Sequence, residues 1–238
     1  MIKFCEYCLI IVSVSGLYLP VGACADSWDI TQTVNTTSDI NLAQSNSTNS
    51  IQAINAVSLG DNSTVKAVQG VDTNGHNINL TQSGNGNKQA ANYIKAKHIE
   101  NSSQTVNAKN VTLSSSGDNN IQALNLAIAQ DTTGLTQTVN LTGAANFTLI
   151  NATNTKQAGN YLDTDNVVGN VNQSFTIPSD INYSDSNGSN NIQAGNLLIR
   201  SNTGSVNGTI SQNYSANSVT VTTSTNATQT ANYIGLKN

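Results

Sequence analysis

Amides, rather than acids, bases or thiols, are the residues whose spacing in this sequence carries a chemical signal. The word Gln-Ala-x-Asn, or a close relative, is written six times: Gln52 with Asn55, Gln89 with Asn92, Gln122 with Asn125, Gln157 with Asn160, Gln193 with Asn196 and Gln229 with Asn232. Successive copies stand 37, 33, 35, 36 and 36 residues apart, inside the range of periods that marks solenoids and arrays. A second row, Gln32, Gln69, Gln104, Gln137, Gln173 and Gln212, precedes these words with the same period. A primary amide both donates and accepts, so identical amides stacked at the roughly 4.8 Å strand spacing of a sheet bond copy to copy. The expected chemistry is therefore structural. Such a ladder satisfies amides that would each cost about 1–3 kcal/mol if buried alone.

Residues suited to catalysis or metal binding do not assemble into a pattern. His76 and His98 have no His, Cys or carboxylate partner at metal-ligand spacing along the chain and read as loop histidines. Asp61, Asp118 and Asp185 lie beside Gly or Asn and read as turn residues. Asp163 and Asp165 form the closest acid pair, in what reads as a loop. Thr31-x-Thr33 and Thr220-x-Thr222 hint at a hydroxyl-bearing face, but the other repeats do not keep those rows. Trp28 reads as a packing residue at the start of the first repeat, and sequons such as those at Asn35, Asn62 and Asn110 follow from composition. No enzyme activity, cofactor or metal is expected. A net charge of -4 with no basic patch argues against a nucleic-acid partner.

The elements that must position the amides are short strands. Apolar and polar residues alternate in Ile40-Asn41-Leu42, Ile78-Asn79-Leu80, Val111-Thr112-Leu113, Phe147-Thr148-Leu149, Ile181-Asn182-Tyr183 and Val219-Thr220-Val221, the period of a half-buried strand. Further apolar pairs follow each Gln-Ala-x-Asn, and turn signals such as Gly117-Asp118-Asn119 and Asn187-Gly188-Ser189 separate the pieces. A sandwich or barrel could use short strands, but only a stack requires like residues at like places six times. The expected fold is all-β, a repeat β-solenoid of about six rungs of roughly 35 residues with stacked amide ladders. The rungs fall near residues 30–65, 66–101, 102–134, 135–169, 170–207 and 208–238, within a domain spanning 26–238. Ile51, Ile121 and Ile192 alternate with Lys88, Lys156 and Thr228 before the glutamine, and Tyr93, Tyr161 and Tyr233 mark the even copies. The duplicated unit is thus one repeat or a pair of about 70 residues. Alanine inside the word suits a tight interior.

Residues 1–25 read as a secretory signal peptide: Lys3, an apolar run from Leu9 to Leu19, and a small-residue cleavage site, Ala23-Cys24-Ala25. The competing reading is a lipoprotein leader ending at residue 23, with Cys24 lipidated. Only then would the protein be attached to a membrane. Cys5-x-x-Cys8 lacks the second pair of a zinc site, and no cysteine lies in the repeats. Nothing before the first repeat or after Asn232 reads as a cap, so both ends are expected to present open strand edges.

The segments Gly84-x-x-Asn87-x-Gln89-Ala90-x-Asn92, Gly117-x-x-Asn120-x-Gln122-Ala123-x-Asn125 and Gly188-x-x-Asn191-x-Gln193-Ala194-x-Asn196 resemble the repeats of bacterial functional amyloid subunits. The nearest likeness is to Fap fibre subunits. Gln82-x-Gly84-x-x-Asn87 also resembles the curlin repeat. The resemblance covers Ile30 to Asn238, with Thr155 and Ala227 breaking the pattern in the fourth and sixth repeats, and with no Cys-x-x-Cys near the C-terminus. It implies a secreted, extracellular or cell-surface subunit that self-associates into biofilm-matrix fibres. It further implies an outer-membrane export pore and a nucleator subunit as partners. The alternative is a monomeric cell-surface β-solenoid adhesin that binds glycan or a host surface.

Overall fold

The computed structural model describes residues 27–223 and 225–237, so the leader and its processing sites lie outside the described residues. The described chain is all-β and winds into a solenoid of six coils. Coil 1 contains β1 (Ser27–Asn35), β2 (Ile40–Thr48) and β3 (Ile51–Ser58), and coil 2 contains β4 (Thr64–Asp72), β5 (Ile78–Asn85) and β6 (Lys88–Lys95). Coil 3 runs through β7 (His98–Ile99), β8 (Ser102–Ala108) and β9 (Val111–Asp118) into the first half of β10 (Ile121–Leu141). The second half of β10 opens coil 4, which continues through β11 (Ala145–Thr153) into β12 (Lys156–Thr176). Coil 5 takes the second half of β12, β13 (Asp180–Ser186) and β14 (Ile192–Arg200); coil 6 is β15 (Ile210–Ser215), β16 (Ser218–Thr222) and β17 (Thr228–Leu236). Each repeat of roughly 35 residues is one full coil, so the structural unit is the single repeat.

Every coil has three walls, each a parallel stack. The first wall carries the second Gln row, the middle wall the alternating apolar tetrads, and the third the Gln-Ala-x-Asn words. The middle wall is a separate sheet of six strands in the order β16-β13-β11-β9-β5-β2. Register is one to one: Ile40, Ile78, Val111, Ala145, Ile181 and Val219 form one column, and Leu42, Leu80, Leu113, Phe147, Tyr183 and Val221 the next. Period-two alternation in the sequence thus becomes an inner and an outer surface.

The third wall bends. Ile54, Ala91 and Leu124 join a core shared with the middle wall, whereas Val57, Ile94, Ala127, Leu162 and Leu198 join a second core against the start of the first wall. The ladder asparagine lies between these inward residues, so the strand turns toward the first wall at that point and divides the interior in two. On the outside, the same bend closes a crease filled by Ala53, Ala90, Ala123, Ala158 and Ala194 with Tyr93, Leu126, Tyr161 and Leu197. The alanine of the word therefore fits a tight outer crease, not the interior. Lys88 and Lys156 lie along this crease: burial, with Lys95 nearby, lowers the Lys88 pKa, and burial lowers that of Lys156 against the pull of Asp163.

The x of the word is matched in size to the first wall of the following coil. A Cβ on Gly159 would lie 2.1 Å from the Phe175 ring, and one on Gly195 would lie 2.3 Å from the Tyr214 ring. Phe175 in turn packs edge-on to Phe147, with ring centroids 6.4 Å apart. Overpacking of this kind costs about 1–3 kcal/mol. Gly159→Ala is accordingly expected to lower urea stability by about that amount, and by less in a Phe175→Val background, where only the Gly195 carbonyl oxygen, 2.8 Å from that Cβ, remains close. Equal destabilisation by Gly159→Ala in the Phe175 and Val backgrounds would contradict the matching.

Candidate functional site: amide ladders and open coil edges

Three columns of amides run the length of the solenoid. In the Gln-Ala-x-Asn column, Gln89 donates to Gln52 and Gln122 to Gln89, each at 2.7 Å. Gln157 donates to Gln122 and Gln193 to Gln157, each at 2.8 Å, and Gln229 donates to Gln193. The second Gln row has the same direction: Gln69 to Gln32, Gln104 to Gln69, Gln137 to Gln104, Gln173 to Gln137 and Gln212 to Gln173, all between 2.7 and 2.9 Å. The Asn column runs the other way. Asn55 donates to Asn92, Asn92 to Asn125, Asn125 to Asn160, Asn160 to Asn196 and Asn196 to Asn232, at 2.8–2.9 Å.

The remaining N–H of each amide ties one wall to another. Gln89, Gln122, Gln157 and Gln193 donate to the middle-wall carbonyls of Thr81, Ser114, Thr148 and Ser184. Gln69, Gln104, Gln137 and Gln173 donate across the pinch to the carbonyls of Tyr93, Leu126, Tyr161 and Leu197. Asn55, Asn92, Asn125, Asn160 and Asn196 donate to Gly70, Thr105, Thr138, Ser174 and Asn213, each in the coil that follows. The inner coils' ladder amides are fully buried, so these bonds are what makes a polar interior affordable. The arrangement is a set of cross-braces along the axis. It offers no nucleophile, acid or base.

A fourth column, at the corner before each Gln-Ala-x-Asn word, is also structural. The side-chain oxygens of Asn87, Asn120 and Asn191 accept the backbone N–H of Ser50, Asn87 and Thr155, and Thr155 Oγ1 accepts that of Asn120. Thr155 thus does the work of an asparagine, whereas Ala227 lacks the group. The residues just before this column, Asn49, Gly86, Asn119, Asn154, Asn190 and Asn226, all have positive φ, from 52 to 70°. That is the left-handed region which Gly and Asn enter most readily. The signal was available in the sequence as an unbroken periodic row of Asn or Gly.

The remaining candidates resolve individually. Stacking gives both histidines the carboxylate partners that linear spacing hides: His76 lies 3.6 Å from Asp39 and His98 lies 2.8 Å from Asp131, each one coil away. Among the described residues no three His, Cys, Asp or Glu side chains group closely enough to hold a metal. Asp163 and Asp165 both hold Lys237, at 2.6 and 2.8 Å. Asp185 is a buried residue, not an exposed turn residue, and accepts from Asn191 at 3.0 Å. Trp28 packs on the second core. Thr31 and Thr33 stand on the outer side of the first wall, but their columns continue as Val68 and Gly70.

Among the described residues, nothing covers either end: the strands of coil 1 pair only with coil 2 and those of coil 6 only with coil 5. Columns buried throughout the interior become exposed in coil 6: Leu198 is 0% exposed but Ile234 54%, and Ile181 is 0% but Val219 47%.

Asn125→Ala removes two ladder bonds and a brace, and is expected to cost about 2–4 kcal/mol in urea unfolding. The exposed outer Asn41→Ala should cost under about 0.5 kcal/mol. Asp180, pulled below the ordinary aspartate pKa by Ser218 and Asn217, links coils 5 and 6. A depressed carboxylate contributes at neutral pH and loses that contribution as pH falls through its lowered pKa. Amide protection in β16, relative to intrinsic exchange at each pH, should therefore fall selectively below roughly pH 4, and Asp180→Asn should remove the effect. No family model, curated protein or solved structure matches this chain.

Proposed function

We propose that the protein is a secreted structural subunit that polymerises head to tail into an extracellular, amyloid-like fibre of a biofilm matrix or cell surface. The observation that carries this reading is the exposure of interior columns at coil 6, where Val219, Val221, Ile234 and Leu236 are 47–54% exposed. An uncovered edge of parallel strands is a template for further pairing. This edge has no charged residue in β15 or β16 to discourage contact. A contact between opposite ends of identical subunits is heterologous and does not close, so it yields a filament. Export would pass through an outer-membrane pore, and a nucleator subunit would start the stack.

Electron microscopy and thioflavin fluorescence of the concentrated protein test the reading. Unbranched fibres with a meridional spacing of about 4.8 Å are expected. A product that stays monomeric at high concentration would overturn it in favour of the monomeric adhesin.

A further inference from the structure

The direction of each amide ladder dictates which groups are left over at the ends, and the two ends are opposites. In both Gln columns a coil donates to the coil before it. Among the described residues, Gln212 and Gln229 of coil 6 therefore keep side-chain oxygens with no donor, and the Gln229 Oε1 is buried as well. At coil 1, Gln32 and Gln52 spend one N–H each on Ala56 and Ala43 and have the other to offer. The Asn column is reversed: Asn55 Oδ1 is the open acceptor, and Asn232 is the open donor. Asn232 also lacks its brace. Its equivalents all donate to a carbonyl in the following coil, whereas Asn232 reaches back 3.3 Å to Gln212 in its own coil.

The geometry points to a second copy of this chain as the ligand of the coil 6 edge, docked by its coil 1 in a single register that continues all three ladders. In that register Gln32 and Gln52 of the incoming copy donate to Gln212 and Gln229. Asn232 donates to the incoming Asn55 side chain and to the carbonyl of the incoming Thr33, which takes the place that Asn213 has for Asn196. Size alternation agrees with this register. The crease column runs Ala56, Tyr93, Leu126, Tyr161, Leu197, Tyr233, so coil 6 followed by coil 1 sets Tyr233 beside Ala56 and never tyrosine beside tyrosine. Two coil 6 edges brought together would oppose acceptor to acceptor in both Gln columns. The inference rests on the fibre reading and adds to it a register and a polarity.

Disulfide trapping tests the register in the chain with Cys5, Cys8 and Cys24 replaced by serine. Thr33 and Asn213 occupy one outer column of the first wall. Within one copy they are five coils, or about 24 Å, apart and cannot be bridged. Across the junction they would be direct neighbours at about 4.8 Å. Thr33→Cys with Asn213→Cys should give, on oxidation, a series of linked dimers, trimers and larger species. Thr33→Cys with Ser215→Cys, two residues out of register at about 8 Å, should give at least about ten-fold less. Equal or absent linking in fibres would overturn the register while leaving the fibre reading intact; absence of fibres from the unsubstituted chain would overturn both.

Polarity is tested by Gln32→Glu with Gln52→Glu, which keeps the oxygens that Gln69 and Gln89 need but removes the donors at the coil 1 edge. This variant, with its β circular dichroism retained, should not elongate alone. Added sparingly to growing wild-type fibres, it should stop one end only, as seen by two-colour fluorescence microscopy. Unaltered growth at both ends would refute the polarity. Should the variant fail to fold, the cysteine pairs decide the junction by themselves.

Discussion

The interior of this protein depends on one requirement: a buried amide must find partners for both its N–H groups and its oxygen. A single buried glutamine rarely achieves this, but a column of glutamines does so almost automatically once neighbouring strands are parallel and in register. The requirement works in both directions. Stacking satisfies the amides, and a slip of one residue would leave every ladder amide unpaired at once, so the amides hold the register that satisfies them. Apolar columns alone would tolerate slippage between similar residues such as Ile181 and Tyr183. Polar columns do not.

The bend in the third wall follows from the same requirement. Asn55 and its copies are shorter than glutamine, so to reach the carbonyl of the first wall they must draw their strand toward it. The pinch this creates separates two apolar cores and, on the outside, folds the strand over its own alanines and tyrosines. Sequence, local geometry and packing are therefore linked through one side-chain length. Gln69 and its copies brace the pinch from the opposite wall.

Much of this was legible in the sequence because the information is periodic. Repetition of Gln and Asn at fixed places identified the columns, and alternation in segments such as Ile78-Asn79-Leu80 identified the strands. What linear reading missed depends on adjacency between coils. His76 meets Asp39 and His98 meets Asp131 only because a coil brings residues 33 to 37 positions apart into contact. The burial of Asp185 and the place of Ala90 in an outer crease could not be read either, since an apolar–polar pattern does not show where a strand bends. The asparagine column of Asn87 and Asn120 was visible, but its service to the backbone of the preceding coil required the corner geometry.

The opposed directions of the ladders have an electrical consequence. Each side-chain amide is a dipole lying along the solenoid axis, as peptide dipoles lie along a helix. The Asn column cancels one Gln column, and the second Gln column has no counterpart. The second Gln row is left over, with hydrogens toward coil 1 and oxygens toward coil 6, and the pairs Asn79–Asn41, Asn110–Asn77, Asn140–Asn107 and Asn182–Asn146 point the same way. A body whose formal charge is only -4 thus carries an axial polarity that its charged side chains do not account for, and that grows with every coil added.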